Sequence, residues 1–299
     1  MTPGVFDYHR PQSVAEALAL LAQFGEDGKV LAGGHSLVPM MKLRLAEPAH
    51  LIDINGIGGL RGIREEGGHE EGGAIVIGAG TTQAEVMASD LLRRKCPILP
   101  DAAAQIADPQ VRNCGTIGGN CANGDPGNDD PAIMMALDAT YVLQSQGGER
   151  RVAARDFYLG IYATALKENE LLTEIRIPIP AKGVGMSYKK IKRKVGDFAI
   201  AAAAVTLSMA NGRCGDAVVA LTNVGDTALL SPGAADALKG TAVDASAIGA
   251  AVAAAMAAVN PVEDLRGSVA YRTAMAGEMT RRAITEALSR ATSEARGGG

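Results

Sequence analysis

The segment KVLAGGHSLVPMM, Lys29 to Met41, limits the folds open to this chain more than any other. A short apolar run ends in two consecutive glycines, and an apolar, helix-compatible pattern starts within three residues. That is the punctuation of a buried strand feeding a tight turn and then, over VPMMKLRLAEP, a short helix or irregular turn, the connection of an α/β unit. The flanking sequence agrees. Ser13 precedes VAEALALLAQF and Gly25 follows it, giving an amphipathic helix an N-cap and a stop. HLIDI, starting at His50, predicts a second buried strand, so a small α/β unit closes near Asn55.

A second unit opens with LRGIREEGG and AIVIGAG, which predict two strands joined by a Gly-rich turn. TTQAEVMASDLLRRKC predicts one helix capped by Thr81 or Thr82. A helix over LPDAAAQIAD, a long Gly-rich loop to Pro131, a helix over AIMMALD and strands over TYVLQSQ and LLTEIRIPI follow. IPIPAKGVG is the natural boundary. Beyond it GMSYKKIK, FAIAAAAVTLSMANG and GDAVVALTNVG predict antiparallel strands, and the Ala-rich sequence from Ala234 predicts helices. The expected organisation is therefore α+β: units 1–55, 56–177 and 178–287, with 288–299 as a flexible tail. Aromatic residues are only 3% of the chain and Trp is absent, so the cores must be built from Ala, Val, Ile, Leu and Met.

Several functions are disfavoured at this level. A net charge of −4 gives no electrostatic footprint for nucleic acid. No apolar run reaches the ~18 residues of a membrane span, and MTPGVFDYHRPQS lacks the apolar core of a signal peptide, so the expected address is the cytoplasm. Cys96, Cys114, Cys121 and Cys214 form no CxxC pair and no zinc-like spacing with histidine, which predicts reduced thiols and neither a zinc nor an iron–sulfur site in this chain.

Two loops carry the chemistry, Ala32 to Ser36 and Gly115 to Pro131. Gly33 and Gly34, and in the second loop Gly118 and Gly119, remove side chains that would keep a ligand off the backbone. Consecutive amides in such turns can point at one anion, with His35, Ser36, Thr116 and Asn120 as further donors. On this reading both loops hold one pyrophosphate, and valine at Gly33 or Gly119 fills phosphate space without unfolding the chain. The plainer alternative is a pair of ordinary tight turns. Neither loop is a Walker A or GxGxxG motif, which disfavours a Rossmann site. Asp125, Asp129 and Asp130 suit either a solvated loop and helix N-cap or acceptors for polyol hydroxyls; their spacing is not that of an EF-hand. Strand alternation puts Lys190, Lys192 and Lys194 of KKIKRK on one face. His35 receives no acid or base role.

In their order and spacing, FDYHRP, LAGGHSL, IGAGTTQAE, IADPQVRNCGTIGGNCANGDPGNDDP, ELLTEIRIP, KKIKRKVGDFA and YRTAMAGEMTRRA resemble the FAD-binding medium subunits of molybdenum hydroxylases, from Phe6 to about Arg282. NGDPGNDDP leans toward the carbon monoxide dehydrogenase branch of that family. The resemblance implies the vanillyl-alcohol-oxidase type of FAD-binding fold, two α/β subdomains followed by a C-terminal antiparallel sheet with helices. It places the first FAD loop on Ala32, Gly33, Gly34, His35, Ser36 and Leu37, and the second on Thr116, Ile117, Gly118, Gly119 and Asn120. It puts Ile106 in the flavin pocket, Asp129 on sugar or ribityl hydroxyls, Leu172 and Lys190 in further flavin contacts, and Phe198 where relatives often carry Tyr beside the ring. Cys121 is left unassigned.

The resemblance also implies partners. A small subunit would carry [2Fe–2S] clusters and a large one the molybdenum cofactor, in a dimer of heterotrimers. Electrons would pass through FAD to a quinone, with the complex peripherally associated with the inner face of the cell membrane. Two alternatives stay open: the FAD subunit of a hydroxylase acting on an N-heterocycle, aldehyde or purine, and a binding or scaffold protein without flavin.

Overall fold

The computed structural model describes residues 2–68 and 72–297, with side chains up to Ser293. The first unit comprises β1 (Asp7–His9), α1 (Val14–Phe24), β2 (Gly28–Leu31), α2 (Leu37–Lys42) and β3 (His50–Asp53). Its strands lie in the order β1-β3-β2, and both pairings are parallel. Ser13 caps α1 by accepting from the Glu16 amide, and Gly25 ends the helix at φ +52°. Ala17, Leu18 and Leu21 bury one helix face against Ile52 and Ile54. The predicted strand–glycine–helix connection is thus the β2–α2 turn, at the carboxyl end of an edge strand.

The second unit begins with β4 (Ile63–Glu66) and β5 (Ala74–Gly78), followed by α3 (Gln83–Ala88), α4 (Asp90–Lys95), α5 (Ile98–Ala103), α6 (Pro109–Cys114), α7 (Ile117–Ala122) and α8 (Asp130–Ala136). It ends with β6 (Thr140–Ser145), β7 (Gly148–Ala153), β8 (Tyr158–Gly160), β9 (Ala163–Thr164) and β10 (Leu171–Pro178). Five of these strands form an antiparallel sheet in the order β4-β5-β10-β6-β7. The single helix expected after Thr82 is two. Ser89 leaves helical geometry at ψ 116° and recaps α4 by accepting from the Leu92 amide, while Thr82 and Glu85 close a capping box on α3. The expected long loop to Pro131 holds α6 and α7. Asp108 and Thr116 nucleate them by accepting from the amides of Val111 and Gly119.

The third unit is an antiparallel sheet, β11 (Val184–Ile191), β12 (Ala201–Ala210), β13 (Arg213–Thr222) and β14 (Leu229–Leu230), covered by α9 (Pro232–Asp236), α10 (Ala245–Ala258) and α11 (Val269–Gly297). Strand alternation in β12 explains the alanine usage. Ala202 and Ala204 face the core shared with the second unit, whereas Ala201, Ala203 and Val205 face the helices. Both faces are covered, so small side chains let the layers approach. Residues 288–293, expected within a flexible tail, continue α11. Ala283, Ala287 and Ala291 recur every fourth residue and are buried on the sheet, where a side chain at Gly185 would strike the Ala287 carbonyl. Residues 298 and 299 lie outside the described residues.

Candidate functional site

A cavity of about 630 Å³ lies between the first two units, where both Gly-rich loops meet. That volume falls in the range of small-molecule sites, and its position outside the carboxyl end of a parallel strand is where open α/β sheets bind ligands. Ala32, Gly33, Gly34, His35, Ser36 and Leu37 form one wall. Thr116, Gly118, Gly119 and Asn120 face them, with Ile106 and Leu172 adding apolar surface.

Hydrogen bonds fix each loop to its sheet. Asn55 Nδ2 donates to the Ala32 carbonyl at 2.7 Å and to Asp53 Oδ1 at 2.8 Å, and the Tyr8 hydroxyl donates to the other Asp53 oxygen. The second loop is tied to the end of β5 and the start of α3. The Gln83 amide donates to the Gly115 carbonyl, the Ile117 amide to Thr81 and the Gly118 amide to Ala79, each at 2.9 Å.

The glycines have unequal tasks. A Cβ on Gly33 would strike the Cys114 carbonyl oxygen and lie 2.6 Å from Gly115 Cα, so Gly33 exists to let the loops touch. Gly118 likewise leaves room for Ala79. Gly34 sits at φ +74°, a conformation that favours glycine. At Gly119, as at Gly34, a Cβ would meet just side-chain atoms, here Thr116 Oγ1 at 2.8 Å and Ala32 Cβ at 3.9 Å, and Gly119 is free of the positive φ. The expectation that valine at Gly33 fills phosphate space without disturbing the fold is therefore corrected: the added atoms collide with main chain.

The two loops also differ in what they leave unpaired. Among the described residues, the amides of Gly33, Gly34, His35, Ser36 and Leu37 have no acceptor within the chain; helical bonding resumes when the Val38 amide donates to the Gly34 carbonyl at 3.0 Å. In the second loop the amides of Ile117, Gly118, Gly119 and Asn120 are all bonded, the last two to Thr116 Oγ1 and the Thr116 carbonyl. Two equivalent amide cradles are thus absent among these residues. The first loop offers bare main chain, and the second offers the Thr116 hydroxyl proton and the Asn120 amino group, whose Oδ1 partner accepts from the Asp130 amide at 3.2 Å.

Other expected site residues lie off the cavity wall. Ile117 is fully buried in the core. The Asp129 carboxylate accepts from the Tyr188 hydroxyl and, at 2.8 Å, from Lys190 Nζ, leaving neither oxygen unpartnered for a polyol. These side chains are 6% and 1% exposed for Asp129 and Lys190, which makes them a buried ion pair. Phe198 is half-exposed beside Gly127, with the Arg266 guanidinium 5.9 Å from its ring centre.

Sequence reasoning missed the wall formed by Tyr162, Leu166, Lys167 and Glu170. Arg150 clamps Glu170 through two bonds of 2.6 and 2.7 Å and holds its carboxyl below the usual range, and Glu170 also accepts from the Lys167 amide. The pairing joins β7 to the start of β10 and carries no short-range signature. Gln83 is also on the wall, although its local sequence signals only a helix start. Behind it Cys121 is buried beside the phenols of Tyr141 and Tyr158, whose oxygens are 2.6 Å apart; burial pushes the thiol far above its ordinary value. Among the described residues no group of three or more His, Cys, Asp or Glu is placed to hold a metal ion, and no helix is long and apolar enough to cross a membrane.

Residues 4–180 match the FAD-binding domain of molybdopterin dehydrogenases, and residues 186–287 match the CO dehydrogenase flavoprotein C-terminal domain. The chain belongs to this family of FAD-binding molybdenum hydroxylase subunits. It is 55% identical over 97% of its length to the carbon monoxide dehydrogenase medium chain of Afipia carboxidovorans, of which 99% is covered. A chain in a crystal structure of cyanide-inactivated Cu,Mo-CO dehydrogenase superposes with a TM-score of 0.94 at 55% identity, covering 97% of this chain and 100% of that one. Identity falls to 36% against the 6-hydroxypseudooxynicotine dehydrogenase complex subunit alpha of Paenarthrobacter nicotinovorans, over 97% of each chain.

Proposed function

We propose that this chain is the FAD-carrying electron-transfer subunit of a heterotrimeric molybdenum hydroxylase that oxidises carbon monoxide with water to carbon dioxide. The observation that carries the reading is the run of unpaired amides from Gly33 to Leu37, facing Thr116 and Asn120 across the cavity. Full-length identity of 55% to a carbon monoxide dehydrogenase medium chain supports the substrate.

The Gly33–Leu37 amides fit a diphosphate, because successive main-chain donors on one turn suit an anion and need no lysine. The Thr116 hydroxyl and Asn120 amino group supply donors from the opposite side. Ile106 and Leu172 give apolar surface for a ring system, and the Arg150–Glu170 clamp holds the wall that carries Leu172 in place. Bound FAD accepts electrons singly and releases them in pairs, joining one-electron clusters to a two-electron acceptor. In the proposed assembly a small subunit supplies [2Fe–2S] clusters, a large subunit supplies the molybdenum centre, and a quinone at the inner face of the membrane takes the electrons.

Co-expression with the small and large subunits, followed by cofactor extraction and stopped-flow spectroscopy, tests this. The expected complex carries roughly one FAD per chain, with absorption near ~450 nm that bleaches on adding carbon monoxide. A flavin-free complex that still reduces its acceptor overturns the FAD reading. A flavin that bleaches with an aldehyde or N-heterocycle but not with carbon monoxide overturns the substrate alone.

A further inference from the structure

We propose that Gln83 is a cofactor-positioning residue whose side-chain amide hydrogen-bonds the group bound in the cavity, and that Asp130 behind it sets whether Gln83 offers an acceptor or a donor. The inference rests on the FAD reading above and goes beyond it.

Gln83 lines the cavity yet is only 2% exposed. Its Nε2 donates to Asp130 Oδ2 at 2.5 Å, while its Oε1 is fully buried with no partner in the chain. A buried carbonyl left unpaired carries the full cost of its lost hydration. The position at the first turn of α3 is already held by the main chain, through the Gln83 amide and the Gly115 carbonyl, and does not need a side-chain amide. Oε1 is closed off from the cavity as the side chain stands, so a hydroxyl or N–H of a ligand would satisfy it only as the Gln83 amide tips toward the cavity that the residue lines.

The surroundings of Asp130 make that offer reversible. Its amide donates to Asn120 Oδ1, which fixes the start of α8 against the second loop. Burial pushes its carboxyl up to about 7; the Gln83 bond lowers it, the neighbouring Asp129 raises it and Lys190 on β11 lowers it. The other titratable groups nearby are Cys121 on α7, Tyr141 on β6, Tyr158 on β8 and Tyr188 on β11, all raised by burial and hence neutral near pH 7.

A carboxylate can only accept, so ionised Asp130 requires Nε2 toward itself and leaves Oε1 for the ligand. Protonated Asp130 donates to Oε1, and the amide turns over to present Nε2 instead. A ligand that donates to Oε1 therefore favours ionised Asp130, and by linkage its affinity rises with pH through the titration of that group.

The test titrates FAD into the full-length chain, stripped of flavin, at pH 6 and pH 8, reading quenching of flavin fluorescence. Wild-type affinity is expected to rise about 3- to 10-fold between the two, the value of one hydrogen bond. Asp130→Asn still accepts from Nε2 and cannot titrate, so it should bind equally at both. Gln83→Leu should bind about 3- to 10-fold more weakly than wild type at pH 8. If Gln83→Leu does not fold, the comparison of Asp130→Asn with wild type decides. A Gln83→Leu variant that binds as wild type at both pH values, or an Asp130→Asn variant with the wild-type pH profile, overturns the proposal. Failure of the wild type itself to take up FAD at either pH removes the cofactor reading, and this inference with it.

Discussion

Gly33→Val is expected to eliminate flavin retention and to lower thermal stability together. The new Cβ meets the Cys114 carbonyl and Gly115 Cα, which are main-chain atoms of a loop tied to Gln83, Thr81 and Ala79. That loop cannot yield cheaply, so the first loop must move away, carrying its unpaired amides out of register with Thr116 and Asn120. Overpacking of this kind costs about 1–3 kcal/mol. Gly119→Ala provides the contrast: its methyl meets a hydroxyl rather than backbone, so the fold should survive. Flavin-to-protein ratio and thermal unfolding of the two variants check the distinction. A Gly33→Val protein with wild-type flavin and wild-type unfolding would mean the loops are not held in contact.

Lys190→Met is expected to destabilise the chain by about 3–5 kcal/mol, because it strands the Asp129 carboxylate in a dry interior. Tyr188 still donates to Asp129, but one neutral hydrogen bond does not replace a cation. The double variant Asp129→Asn/Lys190→Met should recover most of the loss, since an amide can keep the Tyr188 bond without a charge and a buried pair is often replaceable by neutral groups. Calorimetry on the single and double variants separates the outcomes. A single variant within 1 kcal/mol of wild type, on the order of experimental scatter among surface substitutions, would show that the pair is not dry.

The contrast between these variants marks where sequence reading stops. The α/β unit and its Gly-rich turn were legible because strand, glycine and helix follow one another locally; Ser13 and Gly25 declare themselves through capping chemistry, whereas the choice between Thr81 and Thr82 was settled only by the fold. Three of the four antiparallel strands of the third unit were legible as apolar runs bounded by turn residues, β14 being too short to show, although that β12 is buried on both faces follows only from what packs on each side. Ser89 was harder: a serine within a helical pattern becomes a cap only because the chain turns there. The unequal tasks of Gly33 and Gly119 were not legible, since both are simply glycines until the opposing loop is in place. Nor was the Asp129–Lys190 pair, whose members are 61 residues apart; an aspartate in a loop and a lysine on a strand look like solvated charges until burial closes over both. Gln83 was hidden for a related reason. Its partner Asp130 is 47 residues away, and only the absence of a partner for Oε1 distinguishes it from an ordinary helix residue.

The account depends most on bare main chain from Gly33 to Leu37 receiving an anionic ligand. Amide hydrogen exchange of the full chain, with and without FAD, reads those groups directly. Exchange at Gly34 to Leu37 should slow by at least tenfold on binding, on the order of one added hydrogen bond per amide, while the already bonded amides of Ile117 and Gly118 change little. Slowing confined to the second loop, with Gly34 to Leu37 exchanging as in the flavin-free chain, would contradict it.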